Sequence, residues 1–194
     1  MLNKNSPLLY GYGIRLRPVT VDDADFILEL RNMPHVKGKM GSLNITLEQE
    51  KTWLSRNIND PCDYFFIIES SSFVKLGTIG AYDIDFNALS ADAGRFVAIP
   101  GSFSALSACI LLQDFCFYTL ALVKLNICVV ASNTQVLSFN RKLGYQVISK
   151  NQQKRKPVSS IADMDYLELT KTRWLEVRQD LIAIAKTVAL TSTT

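Results

Sequence analysis

Apolar and basic positions alternate over Ile14-Arg-Leu-Arg-Pro18, the two-residue period of a half-exposed strand, and Pro18 closes it. The period then lengthens. Phe26, Ile27 and Leu30 recur at helical spacing behind Thr20, an N-cap with the acidic Asp23 three residues on. A helix is therefore predicted up to Arg31-Asn32, with Pro34 as its stop. Thr46-Leu-Glu-Gln49 is a capping box, in which the threonine oxygen accepts from the N3 amide and Gln49 returns a bond to the cap amide. It opens a second helix over residues 47 to 58.

Three strands follow, over 64–69, 75–83 and 91–99, joined by the turn-rich Ser70-Ser-Ser72 and Asn87-Ala-Leu-Ser90. Connections this short favour an antiparallel meander. From Ser104 to Leu120 the apolar positions Ala105, Ala108, Cys109, Leu112, Phe115 and Cys116 recur at three and four, as in an amphipathic helix against a sheet. A buried strand over 126–130 leads to a helix over 133–143, capped by Ser132 or Asn133 and stopped by Gly144. Strands near 145–150 and 163–169 close the sheet. A tail helix from Thr172 to Leu190 carries Trp174, Leu175, Leu181, Ile184 and Val188, and packs on the body or on a second subunit.

This order gives a mixed α/β (α+β) layer: a mostly antiparallel sheet of about seven strands flanked by helices, not a doubly wound sheet. Residues 1–175 form one domain and 176–194 its C-terminal helical extension, without repeats or linkers.

With 194 residues and 48% hydrophobic composition the chain can bury a substantial core. Twenty-one basic residues against 18 acidic ones leave a net charge of +3, too even for an extended nucleic-acid or membrane surface. An anionic ligand must then be held locally. The densest basic run, Lys150 to Lys156, reads as a solvated hairpin loop or as a clamp on ligand phosphates. Cys62, Cys109, Cys116 and Cys128 lack CxxC spacing, so no metal or redox motif is expected, and they read as reduced thiols of a cytoplasmic protein. No secretory leader or membrane span is expected either. His35, the single histidine, sits beside Pro34 and reads as a loop residue.

The order of elements, with Asn133 opening the penultimate helix and Lys142-Leu-Gly-Tyr145 ending it, resembles the GCN5-related N-acetyltransferase (GNAT) superfamily over residues 12 to 175. Leu-Arg-Asn at 30–32, Trp53-Leu54, Gly94-Arg-Phe96 and Leu169-Thr with Trp174 are similar to its RimJ/RimL-like branch, whose pattern bacterial amino-sugar N-acetyltransferases share. The resemblance implies acetyl-CoA as co-substrate and no metal. It implies transfer to a primary amine by direct attack in a ternary complex, the acceptor being a nucleotide-linked amino sugar. A protein N-terminus or ribosomal protein is the alternative acceptor, and a non-catalytic acyl-CoA-binding or interaction module the alternative class. A small-molecule partner is expected, no nucleic acid or membrane, and a homodimer is compatible.

For the cofactor, the resemblance implies a bulged, splayed strand edge at Phe96, Val97 and Ile99 for the pantetheine arm. The pyrophosphate would lie on Gly101, Ser102, Phe103, Ser104 and Ala105, at a helix N-terminus. This loop departs from the family's Gln/Arg-x-x-Gly-x-Gly/Ala, since Pro100 takes the basic position and Phe103 the middle glycine. Asn133 would both cap its helix and contact the arm. Asn140 stands where many members carry the tyrosine that protonates the leaving thiolate, so Asn140 itself, Tyr145 or Tyr118 must serve.

For the acceptor, Asp92 falls where related sequences carry a basic carboxylate, and amides near Val97 would face the thioester carbonyl. Arg31, Asn32, Tyr82, Asp83 and Arg95, with Asp85, are the polar candidates for one cleft: carboxylates suit an ammonium or sugar hydroxyls, arginines a nucleotide diphosphate.

Overall fold

Phe65 and Ile67 bury themselves on one face of a strand while Phe66 and Ile68 bury themselves on the other, so this sheet needs a layer on each side. The computed structural model describes residues 6–34, 36, 45–102, 104–150 and 163–191. His35, Phe103 and the basic run after Lys150 lie outside them.

The strands are β1 (Leu9–Gly11), β2 (Ile14–Pro18), β3 (Tyr64–Ser70), β4 (Lys75–Asp85), β5 (Ser90–Ala98), β6 (Lys124–Val130), β7 (Gln146–Lys150) and β8 (Met164–Thr170). The helices are α1 (Ala24–Asn32), α2 (Leu47–Asn57), α3 (Ser104–Asp114), α4 (Thr134–Lys142) and α5 (Lys171–Thr191). One sheet runs β1-β2-β3-β4-β5-β6-β8-β7, and every neighbouring pair is antiparallel except β5–β6. The eighth strand, β1, has only three residues and no alternation long enough to read. A hairpin creates it: Tyr12 and Gly13 both take positive φ, 51° and 77°, as a tight two-residue turn requires.

On one face, Ala24 and Ile27 of α1 and Leu54 of α2 cover Phe65 and Ile67. On the other, Ala108, Leu112 and Trp174 from α3 and α5 cover Leu16, Phe66 and Ile68. The Thr46 capping box forms, with Thr46 N donating to Gln49 Oε1 at 2.8 Å and Gln49 N to Thr46 Oγ1 at 3.3 Å. Ahead of α1, Thr20 caps a 3-10 turn over Val21–Asp23 with Asp23 as its acidic partner, as foreseen. The Asp23 carboxylate accepts from the Thr20 amide at 2.9 Å and pairs with Arg17 and Lys75.

The predicted third helix stops early as an α-helix, passing into one π turn at Phe115–Thr119. The tail helix packs on the body. Trp174 Nε1 donates to Asp114 Oδ1 at 2.9 Å and Arg178 grips both Asp114 oxygens at 2.7 Å. These bonds set the rotation of α5, so Leu181, Ile182 and Ala185 face inward, whereas Leu175 and Ile184 point to solvent.

Candidate active site

The site begins where two neighbouring strands part. β5 and β6 pair in parallel only at Ser90↔Lys124, Ala91↔Leu125 and Asp92↔Asn126. Beyond Asp92, β5 runs on to Ala98 and β6 to Val130 with no shared register. A bulge accounts for the divergence. Between the pairs Thr78↔Val97 and Gly80↔Gly94, β4 has only Ile79 but β5 has both Arg95 and Phe96. Arg95 takes φ 50°, and its carbonyl accepts a 2.8 Å bond from Thr78 Oγ1. An extra residue of this kind bends and twists its strand, which carries β5 away from β6 and frees main-chain groups on the facing edges.

A cavity of about 420 Å³ fills the gap. Ala93, Gly94 and Phe96 line it from β5, Ile127 and Val129 from β6, Asn133 and Asn140 from α4. Phe96 stacks on Phe139 of α4 with ring centres 6.4 Å apart. Asn133 caps α4 by accepting from the Val136 amide at 3.4 Å, and Asn140 Nδ2 donates to the Val136 carbonyl at 2.9 Å. The floor is Leu112, Gln113, Leu143 and Tyr145. Burial pushes the Tyr145 phenol well above its ordinary range, against a hydrogen bond from Gln113 that lowers it.

Arg95 and Tyr82 form the wall nearest the second helix layer. Arg95 is held on all sides: Nη1 and Nη2 donate to the two oxygens of buried Asp63, each at 2.6 Å, and its guanidinium lies 4.3 Å from the Tyr82 ring centre and 5.0 Å from that of Trp53. Bidentate pairing and ring stacking are what a planar guanidinium does best. Tyr82 faces Asp92 across the β4–β5 ladder. Burial, and next the Asp92 charge, raise the Tyr82 phenol, while Arg95 works the other way.

The remaining candidates are more dispersed. Val97 is buried against Leu30 and Val36 instead of facing the cavity. The Ile99 amide is spent on the Leu76 carbonyl at 2.8 Å. Ser102 Oγ donates to the Ile99 carbonyl at 2.7 Å and meets Ser104 Oγ at 2.9 Å, and Gly101, at φ 80°, has open space beside it. Ala105 lies half-buried in the first turn of α3. Arg31 pairs with Glu50 at 2.9 Å, and Asn32 Nδ2 bonds back to the Leu28 carbonyl. Asp83 is exposed at a second bulge with φ 51°, and Asp85 holds the turn amides of Asn87 and Ala88. Tyr118 lies by Lys171 and Arg178 of α5, outside the cavity lining.

Two residues escaped the sequence reading. Gln113 had a signal, a polar residue four positions beyond Cys109 on an apolar helix face. Asp63 had none, because its role exists only through Arg95, 32 residues away.

The parted edges and the cap of α4 suit a long, amide-bearing arm, and Gln113 offers that arm an unpaired buried acceptor. Among the described residues no group of three His, Cys, Asp or Glu could hold a metal ion, and no helix is long and apolar enough to cross a membrane.

A mixed sheet that opens between two parallel neighbours, beside the start of a helix, is the architecture of acyl-CoA-dependent acetyltransferases. The sequence matches the acetyltransferase (GNAT) domain over residues 14–146, and the chain belongs to that family, whose enzymes use acetyl-CoA. No curated protein matches it. Among solved structures it is similar to apo FdhC, a nucleotide-linked sugar GNAT, with 24% identity, a TM-score of 0.77 and coverage of 93% of this chain and 98% of that one. Spermidine N-acetyltransferase from Vibrio cholerae, in complex with CoA and spermine, gives 16% identity and a TM-score of 0.76, covering 85% and 99%. A GCN5-related N-acetyltransferase from Brucella melitensis gives 15% identity and a TM-score of 0.78, covering 94% and 87%.

Proposed function

We propose that the chain transfers an acetyl group from acetyl-CoA to the primary amine of a nucleotide-linked amino sugar, by direct attack in a ternary complex. The cavity between the parted β5 and β6 carries this reading, since it joins a free strand edge to Tyr82, whose ladder partner Asp92 stands just outside the lining. Acetyl-CoA supplies the activated thioester when bound. The edge at Phe96 and Val97 and Asn133 hold its arm, with Ile99, whose main-chain groups bond Leu76 and Ser102, closing that edge; Gly101, Ser102, Ser104 and Ala105, with Phe103, receive its pyrophosphate. Asp92 takes the proton of the attacking amine, and Arg95 and Tyr82 wall the acceptor, with Arg31, Asn32 and Asp83 farther out.

The sugar is favoured over a polycation by the lining itself. Its one charged side chain among the described residues is Arg95, already neutralised by Asp63, and no carboxylate waits there for a second ammonium. Similarity to a nucleotide-linked sugar GNAT along nearly the whole chain points the same way. Trp53-Leu54 on α2 and Gly94-Arg-Phe96 at the bulge support placement in the RimJ/RimL-like branch. A cytoplasmic setting suits the acetyl-CoA chemistry and the four free cysteines, of which Cys109 is pushed up to about 12 by burial.

Incubating the protein with acetyl-CoA and a panel of 3-amino and 4-amino nucleotide sugars, while following CoA release, tests the reading. Turnover on a member of the panel supports it. Silence across the panel with acetylation of a protein N-terminus would move the acceptor to protein, and CoA binding without turnover on any amine would make the chain a binding module.

A further inference from the structure

A polar side chain interrupts the apolar floor of the cavity and leaves its acceptor unused. Gln113 lines the cavity beside Cys109, Leu112 and Leu143, is 2% exposed, and its Oε1 has no hydrogen-bond partner among the described residues. A buried amide oxygen left unpaired destabilises a fold, and such groups are rare unless a ligand or an ordered water completes them. The other side-chain amides of the lining differ. Asn133 Oδ1 already accepts from the Val136 amide, and Asn140 is only half-buried, its amide bonded to the Val136 carbonyl.

The place of Gln113 along α3 selects the donor that its oxygen can take. At 1.5 Å per residue it stands about 14 Å along the axis from Ser104, the first residue of the helix, and its side chain leans back toward that start. The arm of acetyl-CoA carries two amide N–H groups. At about 1.2 Å of advance per bond of an extended chain, the first lies about 7 Å from the pyrophosphate and the second, nearer sulfur, about 12 Å. With the pyrophosphate at the start of α3, the second amide is the one that matches Gln113. The acetyl group itself has no donor to offer.

We propose that Gln113 is a specificity-determining residue: its Oε1 accepts from the arm's amide N–H nearer sulfur, so that α3 measures the arm, with the pyrophosphate at its start and that amide near its end. This rests on the acyl-CoA reading above. The parted edges of β5 and β6 offer main-chain groups along the arm and grip it in more than one register, whereas a single buried side-chain acceptor favours one. That register places the thioester for attack beside Tyr82 and Arg95. No bond is made or broken at Gln113.

Calorimetry on the full chain tests this with CoA and with two CoA analogues, each having one arm amide N–H replaced by an ester oxygen. The native protein and Gln113→Leu, which keeps bulk without an acceptor, are compared. The native protein should bind the sulfur-proximal ester about tenfold more weakly than CoA. Gln113→Leu should bind CoA about tenfold more weakly than the native protein does, and should lose little more with that ester, because the two changes remove one and the same interaction. The other ester should weaken both proteins equally. An equal loss with the sulfur-proximal ester in both proteins overturns the assignment, since packing or a resident water would then account for Gln113. Coupling of Gln113 to the other ester overturns the register. If Gln113→Leu fails to fold, Gln113→Met carries the same comparison with the same outcomes. Failure of the native chain to bind CoA would overturn the acyl-CoA reading itself, and this proposal with it.

Discussion

Arg95 donates two 2.6 Å hydrogen bonds to Asp63 from a backbone held in the left-handed region at φ 50°. One residue thus makes the β5 bulge and, through its side chain, ties that bulge to the second helix layer. Asp63→Asn removes the charge that Arg95 pairs with and should cost about 1–3 kcal/mol. At roughly 2–4 °C per kcal/mol for a chain of this size, thermal denaturation should show a clear fall in midpoint. The acceptor KM should rise more than that of acetyl-CoA, and an unchanged midpoint would show the pair to be idle.

Gly94 leaves room for Tyr82. A Cβ at that position would stand 2.7 Å from the Tyr82 hydroxyl oxygen, so Gly94→Ala must push the ring off the cavity wall. Acceptor kcat/KM should drop about tenfold, the effect of a small misplacement at a reacting centre, with CoA binding retained. Steady-state kinetics beside calorimetry with CoA would reveal it.

Asp92→Ala should lower turnover by about tenfold or more if its carboxylate takes the amine proton. A rate equal to that of the native protein would remove Asp92 from the mechanism.

The two roles of Asn133 can be separated. Asn133→Ala should lose about 1 kcal/mol with the α4 cap and weaken CoA binding, whereas Asn133→Ser restores a capping oxygen and so stability. Calorimetry then decides. Affinity that recovers with serine would limit Asn133 to the cap.

Asp23 should govern the acid limb of stability. Burial alone would raise its carboxyl, but hydrogen bonds from Arg17, Lys75 and the Thr20 amide outweigh that and hold it well below the usual carboxylate range. Its folded value lies below its unfolded value of about 3.9, so the stabilisation is complete above about pH 4 and is lost as pH falls through the folded value. Asp23→Asn should therefore destabilise most at pH 7 and somewhat less near pH 3, where only part of the stabilisation has been lost. Denaturant titrations at the two pH values measure the difference.

Much of this was legible along the chain because it is local. The capping box of Thr46 and Gln49 spans three residues, and the caps of α4 lie within one turn of its ends, so residue type and spacing suffice. The rotation of α5 was misjudged, since Leu175 and Ile184 fit a helical stripe as well as Ile182 and Ala185 do. Only the grip of Trp174 and Arg178 on Asp114 selects one stripe.

The sequence by itself determined which segments become strands and helices and which family they compose, because period, caps and motif spacing act over a few residues. Tertiary structure decided which candidates meet. It joined Arg95 to Asp63, set Tyr82 opposite Asp92, and brought Gln113 and Tyr145, 32 residues apart, to one cavity floor. Such contacts depend on a bulge and a parting of strands that arise only once β4, β5 and β6 lie side by side, where pairing across the sheet, not spacing along the chain, sets the distances.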